Sequence, residues 1–564
     1  MTSVDKLNML SPSTRGKLAF LFVVVFYILH QLTLQPNWVL GGEMWAEMAT
    51  NYYLNAESPS LLTKLFATDA GYIPIVPRII AFIGNQINLP VTFIPYFYTF
   101  TALILSGMMV GCFCLSIFRK LLLSDSLRAV IAISVLMVAD FETRTFVNFS
   151  YFSAFFIAIV TTLAFKDKLE EVPWWAWLIP ICIISKPAVA SALPAMVVAS
   201  IFSKNRFRQV TAISLLLFLM QFIQIVISSR IGVMHQVNET SLVSKLVSSV
   251  LYFFGFLGGY SIGPAVNPNK YLSIQMGICI FIISIFVILK IKNRATSLIG
   301  VGASLLLFNV ILNCFALTDS WNLNLNTLKD IPVYRHTIVG YFGVVLIISS
   351  LISCLFVTEE SHIKFNLKNY YGTFLFCIWF TVSGWFLSGL RLSKEPISPT
   401  IGNSQWQKMA HAIESGTNPI CVPVDPWHKR ESWLYQRNCQ LLKIPPFWDD
   451  GSLLIKDPLY FDLSPPVRLF EKKLLSAAVL AKPLSSKNEF IEVRMLMTLR
   501  DGNKVIYQGS NLIRPTGGLI QLNGPVSVKI SEIVSIRLYF NLPVVIALAS
   551  DDPSGLPSIA WMGN

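Results

Sequence analysis

Long apolar runs alternate with shorter polar segments over the first 390 residues of the chain. A helix needs about 20 apolar residues to cross a bilayer, so runs of this order predict membrane spans. The segment Ser241–Gly263 is also apolar, but its glycines predict a re-entrant or interfacial element that lines a protein cavity. The eleven runs predicted to span are 18–35, 93–118, 127–140, 148–165, 173–185, 188–203, 209–229, 272–289, 297–317, 337–357 and 371–390.

The pattern changes after Ser393 to that of a soluble domain. Residues 404–416 are predicted to be helical, and short β-branched runs separated by pairs such as Asp501-Gly502 and Asn523-Gly524 are typical of a β-sandwich. The predicted fold is therefore an all-α polytopic membrane protein with about 11 transmembrane helices over 1–392 and a first outer loop at 36–92. A β-rich extracytoplasmic domain, α/β and then sandwich-like, is predicted over 393–564.

Composition supports a membrane protein, because 54% of the residues are hydrophobic, 13% are charged and the mean hydropathy is +0.59. The net charge of +13 would suggest nucleic-acid binding in a soluble protein. Here it is mainly an orientation signal, since 16 basic residues gather in one set of short loops and nine are spread over the longer opposite set. The N-terminus is therefore expected in the cytoplasm and residue 391 onward outside. We expect membrane lipids, and no nucleic acid, as partners.

Cysteine and histidine usage narrows the chemistry. Seven of the nine cysteines lie in apolar runs, whereas Cys421 and Cys439 lie in polar sequence on the predicted outer side, where a disulfide between them is plausible. The six histidines show no metal-ligand spacing, and the chain contains no P-loop, GxGxxG, HExxH or GxSxG motif. The sequence therefore predicts neither a metal site nor a serine-histidine-aspartate triad.

Ionisable residues at the outer ends of the spans are the candidate functional groups, because charges near hydrocarbon tend to face cavities. Glu43 and Glu47 are four residues apart, so a helix would place both carboxylates on one face. The simpler interpretations are a solvated helix face for the acids and snorkelling or headgroup anchoring for the cations. The remaining candidates are the acids Asp69 and Asp140 and the cations Arg78, Lys186 and Arg335.

This pattern suits transfer of a group from a lipid phosphate in the outer leaflet to a hydroxyl acceptor. Such a reaction needs a carboxylate as general base, and cations that stabilise the departing phosphate. Aromatic side chains such as Trp45 and Tyr72 could stack on sugar faces, although Trp and Tyr also mark membrane interfaces.

Two segments of the first outer loop, Gly42-Glu43-Met44-Trp45-Ala46-Glu47 and Gly71-Tyr72-Ile73-Pro74 with Pro77-Arg78, resemble the GT-C class of polytopic glycosyltransferases. Within that class the layout is most similar to the bacterial enzymes that add glucose branches to O-antigen, including those of serotype-converting phages. The resemblance implies that the first-loop carboxylate implicated in catalysis is Glu43 or Glu47. It also implies an inverting enzyme in the bacterial inner membrane.

The same resemblance implies a donor and several partners. The donor is a hexose on undecaprenyl phosphate, which acts as a co-substrate with no separate cofactor, and the acceptor is a lipid-linked or nascent surface polysaccharide. A flippase and a donor-synthesising glycosyltransferase are implied as partners. Two other classes stay open: a transporter or flippase for a polysaccharide precursor, and an envelope scaffold that carries a carbohydrate-binding sandwich.

Overall fold

The computed structural model is mostly helical up to residue 385 and has a β-rich C-terminal part. It forms two compact units. The first, the membrane unit, comprises Met1–Gln31, Leu62–Ile79 and Phe100–Glu395, and the second, the loop-and-sheet unit, comprises Leu32–Leu61, Ile80–Thr99 and Pro396–Asn564. The residues described are 11–58, 60–166, 171–230, 241–263, 269–291, 295–317, 320–328, 333–356, 367–385, 405–428, 431–443, 447–548 and 559–564.

Among the described residues, six helices are long and apolar enough to cross a membrane. They are Pro12–Leu34, Ile94–Cys114, Asn205–Ser228, Leu242–Ile262, Lys270–Lys290 and Thr296–Ala316. Shorter apolar helices cover Phe149–Phe165, Trp174–Ser185, Pro187–Phe202 and Ile338–Cys354. These helices support a multi-pass membrane protein, but the predicted count of about 11 spans is not confirmed. Further α-helices are Pro36–Leu40, Leu54–Ala56, Leu61–Leu65, Ile75–Gln86, Asp125–Met137, Phe141–Arg144, Leu367–Phe380 and Gln405–Glu414.

The segment predicted to be re-entrant forms one unbroken helix, Leu242–Ile262. The glycines in this helix do not interrupt it; they allow another helix to pack closely against it. A Cβ atom on Gly258 would collide with the backbone of Ser273, and one on Gly277 would collide with the backbone of Phe254. Small residues let two helices approach closely, and this is a common device in membrane proteins. Glycine content in this segment therefore reports a tight helix pair.

The β-rich part contains twelve strands among the described residues. One sheet pairs β1 with β2, and the other follows the order β3-β12-β6-β9-β8-β7-β10-β5, with β11 joining β4 to β6. Alternate residues of β7, from Ile491 to Met497, are fully buried and pack with Ile536 and Leu538 of β10. The strands are β1 Ile420–His428, β2 Glu431–Arg437, β3 Gln440–Lys443, β4 Phe447–Ile455, β5 Tyr460–Leu463, β6 Lys473–Pro483, β7 Glu489–Leu499, β8 Lys504–Ile513, β9 Gly518–Lys529, β10 Ile533–Phe540, β11 Val544–Leu548 and β12 Ala560–Gly563.

Much of the first loop packs with the C-terminal part instead of with the membrane helices. Tyr53, Trp406 and Tyr435 pack edge-on and tilted with centroids 5.3 to 5.8 Å apart. Arg437 forms an ion pair with Glu57, and the Tyr435 hydroxyl donates to the same carboxylate at 3.0 Å. The division of the chain therefore differs from the predicted boundary at 392/393, which assigned the whole first loop to the membrane domain.

These contacts constrain the topology, because the first loop and strands β1 and β2 must lie on one side of any membrane. The number of crossings between residues 61 and 405 must then be even. Five of the long apolar helices lie in that interval among the described residues, so an odd number of other segments must also cross. The predicted total of eleven satisfies this parity, but it omits Leu242–Ile262. If that helix crosses, the number of other crossing segments in the interval must differ by an odd number from the prediction.

We expect reporter tags after Ala56 and after Asn564 to lie in the same compartment, and tags after Lys120 and Arg208 to lie in the opposite one. The contacts of Glu57 with Tyr435 and Arg437 are the physical reason for the first expectation. Cysteine accessibility to an impermeant thiol reagent, or paired enzymatic tags in cells, would measure it. Opposite compartments for Ala56 and Asn564 would contradict this packing.

Candidate functional site

Glu43 lies in an extended stretch of the first loop and not on a helix. The short helix Pro36–Leu40 ends before it, Gly42 has φ +67°, and the next helical segment, Met48–Tyr53, begins after Glu47. The prediction that Glu43 and Glu47 share one helix face is therefore wrong. A positive φ is a conformation that glycine adopts without cost, and a Cβ atom on Gly42 would lie 2.6 Å from the Tyr96 hydroxyl.

The Glu43 carboxylate binds the N-terminus of the helix Gln405–Glu414. It accepts hydrogen bonds from the backbone N–H groups of Trp406 at 3.0 Å and Gln407 at 3.4 Å. The first N–H groups of a helix have no partner within the helix, and the helix dipole favours an acid at this end. The Gln407 side chain returns the contact by donating to the carbonyl of Gly42 at 2.6 Å. A residue 363 positions earlier in the chain thus caps this helix.

Asp425 lies beside Glu43 on strand β1. The backbone N–H of Ala46 donates to the Asp425 carbonyl at 2.5 Å, and Trp45 pairs with Asp425 as an isolated bridge. Glu43 and Asp425 border a small, partly open cleft that is also lined by Gln405, Trp406 and Leu519 among others. This cleft is the candidate acid site in the loop-and-sheet unit.

Burial raises the pKa of Glu43 from 4.5 to about 8. This value is a balance in which the N–H groups of Trp406 and Gln407 and the charge of Lys408 lower the pKa, while the charge of Asp425 adds to the effect of burial. Burial also lowers the pKa of Lys408, while Glu43 raises it. The desolvation effect is the largest, so most Glu43 side chains carry a proton at pH 7.

A disulfide joins Cys421 and Cys439, whose Cα atoms are 5.8 Å apart. It links strand β1 to Cys439, which lies two positions after the end of strand β2, so it closes the β1–β2 hairpin that carries Asp425. The carbonyl of Cys421 also accepts a hydrogen bond from the Gln521 side chain at 2.8 Å. The hairpin is thus fixed both to itself and to strand β9.

In the membrane unit, Lys186 occupies a break between two helical segments. The helix Ile179–Ser185 stops there and a 3₁₀ segment starts at Pro187, because proline disfavours helical geometry in the preceding residue. Lys186 is extended and only 5% exposed. Its Nζ donates to the Tyr72 hydroxyl at 2.5 Å and lies 5.3 Å from the centre of the Tyr151 ring. A cation is thereby held among aromatic rings at the break.

Arg335 and Lys186 act on the same imidazole. Arg335 Nε donates to His336 Nε2 at 3.3 Å, and Arg335 Nη1 lies 3.4 Å from a Glu142 carboxylate oxygen. Burial, together with the charges of Arg335 and Lys186, lowers the pKa of His336 to about 3. The ring is therefore neutral at physiological pH, and two of the predicted phosphate-binding cations are close to it. We call Lys186, Arg335, His336, Tyr72 and Tyr151 the cation cluster.

The other predicted residues of the membrane unit have identifiable local roles. Asp69 and Tyr72 exchange backbone hydrogen bonds of 2.7 and 3.0 Å around a turn in which Ala70 and Gly71 have positive φ. Asp140 caps the helix Phe141–Arg144 by accepting from the N–H of Thr143 at 2.9 Å. Arg78 is 4% exposed, and its Nη2 lies 3.5 Å from the carbonyl of Thr68.

Sequence analysis did not predict the roles of Asp425, Lys408 and His336. Asp425 stands 382 positions after Glu43, and no local pattern links the two. The available signal was an acid between the two cysteines of the polar domain. Trp45, predicted to stack on a sugar, is instead buried and packs edge-on against Trp38 with ring centroids 6.3 Å apart.

The raised pKa of Glu43 predicts a pH-dependent stability. Between about pH 4.5 and 8 the unfolded chain loses a proton that the folded chain keeps, so the free energy of unfolding should fall as pH rises through this window and level off above it. Glu43→Gln should remove this part of the slope. Thermal unfolding of both proteins in detergent from pH 4.5 to 9 measures the difference. If the unfolding temperatures of the two proteins change with pH in parallel, Glu43 has the same pKa in the folded and unfolded states.

Comparisons with protein-family models, curated proteins and solved structures found no match to this chain. A function for the chain therefore depends on the two sites described above: the acid cleft around Glu43 and the cation cluster around Lys186.

Proposed function

We propose that the chain is an inverting membrane glycosyltransferase. It transfers a hexose, with glucose as the favoured sugar, from undecaprenyl phosphate to a lipid-linked or nascent surface polysaccharide of the O-antigen type. The acceptor hydroxyl attacks the anomeric carbon and forms the new glycosidic bond as the bond from that carbon to the phosphate oxygen breaks. The electron pair leaves with undecaprenyl phosphate, and the hydroxyl proton passes to a carboxylate. The proposed location is the periplasmic face of the bacterial inner membrane.

The observation that carries the proposal is the Glu43 carboxyl in the cleft beside Asp425, with its pKa raised to about 8. A general base works best when its pKa is near the operating pH, and burial next to another acid is a common way to reach such a value. Asp425, rather than Glu47, supplies the like charge. Glu43 is therefore the proposed base, and Glu47 occupies the N-cap position of the segment Met48–Tyr53 without a side-chain capping hydrogen bond.

The cation cluster supports the phosphate part of the proposal. Lys186 is only 5% exposed, its Nζ donates to the Tyr72 hydroxyl, and it lies over the rings of Tyr72 and Tyr151. The charges of Lys186 and Arg335 both act on His336. Lysine and arginine side chains form strong charge-assisted hydrogen bonds with phosphate oxygens, and such contacts would stabilise the charge that develops as the sugar leaves. The proposed donor-binding residues are Lys186 and Arg335, together with the buried Arg78.

A transporter or flippase for a polysaccharide precursor is the second candidate, and the helix break at Lys186 favours it. Discontinuous helices that place a charged group at the break form the substrate sites of many transporters. The two functions differ in one requirement, since a transferase works in detergent and a transporter needs a sealed compartment. Radiolabelled sugar transfer by detergent-solubilised protein, with extracted undecaprenyl-phosphate hexose as donor, would distinguish them.

Glu43→Gln should lower the transfer rate by about 10²–10⁴-fold, the usual contribution of a general base. The amide keeps the size of the side chain and can still accept from the N–H groups of Trp406 and Gln407, but it cannot take the acceptor proton. The wild-type rate should also rise with pH towards a plateau above about pH 8, because only the ionised carboxylate is active. Single-turnover transfer at saturating donor measures both effects.

Glu47→Gln is the matched control, since it makes the same chemical change in the same loop, and its rate should stay near wild type. Equal rates for wild type, Glu43→Gln and the double variant would place the base elsewhere, with Asp425 as the next carboxylate to test. A rate that does not vary between pH 6 and 9 would likewise contradict a base with this pKa.

Lys186→Met should raise the donor KM by at least about tenfold, because it removes one charge-assisted contact to the lipid phosphate. Lys270→Met is the control, since Lys270 belongs to the same unit and donates to the carbonyl of Asn324 outside the cation cluster. Transfer measured over a range of donor concentrations separates KM from kcat. Unchanged donor affinity in Lys186→Met would remove Lys186 from the donor site.

A further inference from the structure

A second cluster of charges lies at the ends of three helical segments of the membrane unit. Arg15 stands in the first turn of the helix Pro12–Leu34, Arg119 lies in the 3₁₀ segment Ser116–Lys120, and Asp125 and Arg128 lie at the start of the helix Asp125–Met137. None of these residues takes part in the proposed transfer reaction. All of them fall in the loops that the charge bias predicts to be cytoplasmic.

The three guanidinium groups converge on one carboxylate. Arg119 Nε lies 3.1 Å from Asp125 Oδ1, Arg15 Nε lies 3.9 Å from Asp125 Oδ2, and Arg128 Nη2 donates to Asp125 Oδ1. One carboxylate can neutralise one guanidinium, so this group of four side chains carries two positive charges in excess. Such an excess is a favourable site for a further anion.

Arg128 has a structural role in this group. It is fully buried and donates to the carbonyl oxygens of Leu122 and Cys114. These contacts fix the turn between the 3₁₀ segment Ser116–Lys120 and the helix Asp125–Met137. Gly16 brings the first helix against this turn, because a Cβ atom there would lie 2.8 Å from the backbone nitrogen of Ser116. The geometry of the cluster is therefore set by backbone contacts.

Arg15 and Arg119 differ from Arg128 because their side chains are 26% and 28% exposed. The 3.9 Å separation of Arg15 Nε from Asp125 is longer than a hydrogen bond, so that contact is purely electrostatic. Both guanidinium groups can thus donate to a ligand that approaches from outside while Asp125 holds them in place.

The surface next to Arg15 identifies the kind of ligand. Leu18 and Phe22 follow Arg15 by three and seven positions, so they share its face of the helix, and they are 48% and 57% exposed. Leu123, on the neighbouring turn, is 42% exposed. A phosphate at the arginines would lie at the end of an apolar stripe that suits an acyl chain.

We propose that Arg15 and Arg119 bind the phosphate of an anionic phospholipid at the predicted cytoplasmic end of the first helix, with its acyl chain along Leu18 and Phe22. This site is separate from the proposed donor site. A free phosphate shares the headgroup chemistry but gains nothing from the apolar stripe, so the two sources can be distinguished by experiment.

The test compares the Arg15→Gln/Arg119→Gln pair with wild type for binding of phosphatidylglycerol to delipidated protein, measured by native mass spectrometry. Each basic residue near an anionic surface contributes about a fivefold factor, so the pair should bind this lipid about thirtyfold more weakly. Binding of zwitterionic phosphatidylcholine should not change. Arg206→Gln/Arg208→Gln, which removes two arginines at the start of another helix, should bind like wild type.

The proposal would be overturned by equal loss in the control pair, by no preference of wild type for phosphatidylglycerol over phosphatidylcholine, or by complete displacement of the lipid by millimolar inorganic phosphate. The Arg15→Lys/Arg119→Lys pair keeps both charges and should retain most of the binding. If it loses as much as the Gln pair, the two arginines act by holding the fold, and the proposal fails.

Discussion

The hydrogen bonds from Trp406 and Gln407 to Glu43 are the contact on which the loop-and-sheet unit depends. A cap of this kind is worth about 1 kcal/mol when the acceptor is exposed. Here it also joins two segments that are remote in sequence, and the aromatic contacts of Tyr53 and the ion pair of Glu57 follow from the same apposition. An ionised cap would be the stronger acceptor, but burial favours the protonated form. The site therefore combines an anchoring role with a carboxyl group that can exchange a proton near neutral pH.

In the membrane unit, too, a local backbone feature places an ionisable side chain in a buried position. Pro187 breaks a helix, and the break places Lys186 in a buried position among aromatic rings. Backbone groups freed at such a break are tolerated only where protein or a polar cavity surrounds them. The His336 ring stays neutral, so it adds no third positive charge to those of Lys186 and Arg335. The main consequence of the helix break at Pro187 is therefore the placement of a positive charge.

Much of the architecture could be predicted from local pattern. Apolar length identified the helical part, and turn residues such as Asp501-Gly502, which lies between β7 and β8, identified the β-rich part. The segment 241–263 was predicted to be re-entrant or interfacial and forms an unbroken helix, because a glycine that permits close helix packing looks the same in sequence as one that breaks a helix. The prediction that Glu43 and Glu47 share a helix face was wrong. The preceding helix ends before Gly41 and Gly42, and the next helical segment begins only after Glu47.

The candidate site was predicted only in part, for a reason that is also physical. Glu43, Lys186 and Arg335 stand out because ionisable residues near apolar runs are rare. Their partners stand out less. Asp425 acts on Glu43 only because the fold brings the two close together, and His336, although it follows Arg335 directly in the sequence, is buried only in the folded chain. Periodicity reports neighbours three or four residues apart and contains no information about a contact between the first loop and strand β1.

The distance along the chain between Glu43 and the helix that it caps also has a consequence for biosynthesis. At the usual elongation rates of about 5–20 residues per second, the ribosome needs on the order of tens of seconds to make the 363 residues that separate Glu43 from Trp406. Throughout that interval the nascent loop lacks Trp406 and Tyr435, which are the ring partners of its own Tyr53. Assembly of this unit therefore begins only late in synthesis, after the segment that carries Trp406 has been made.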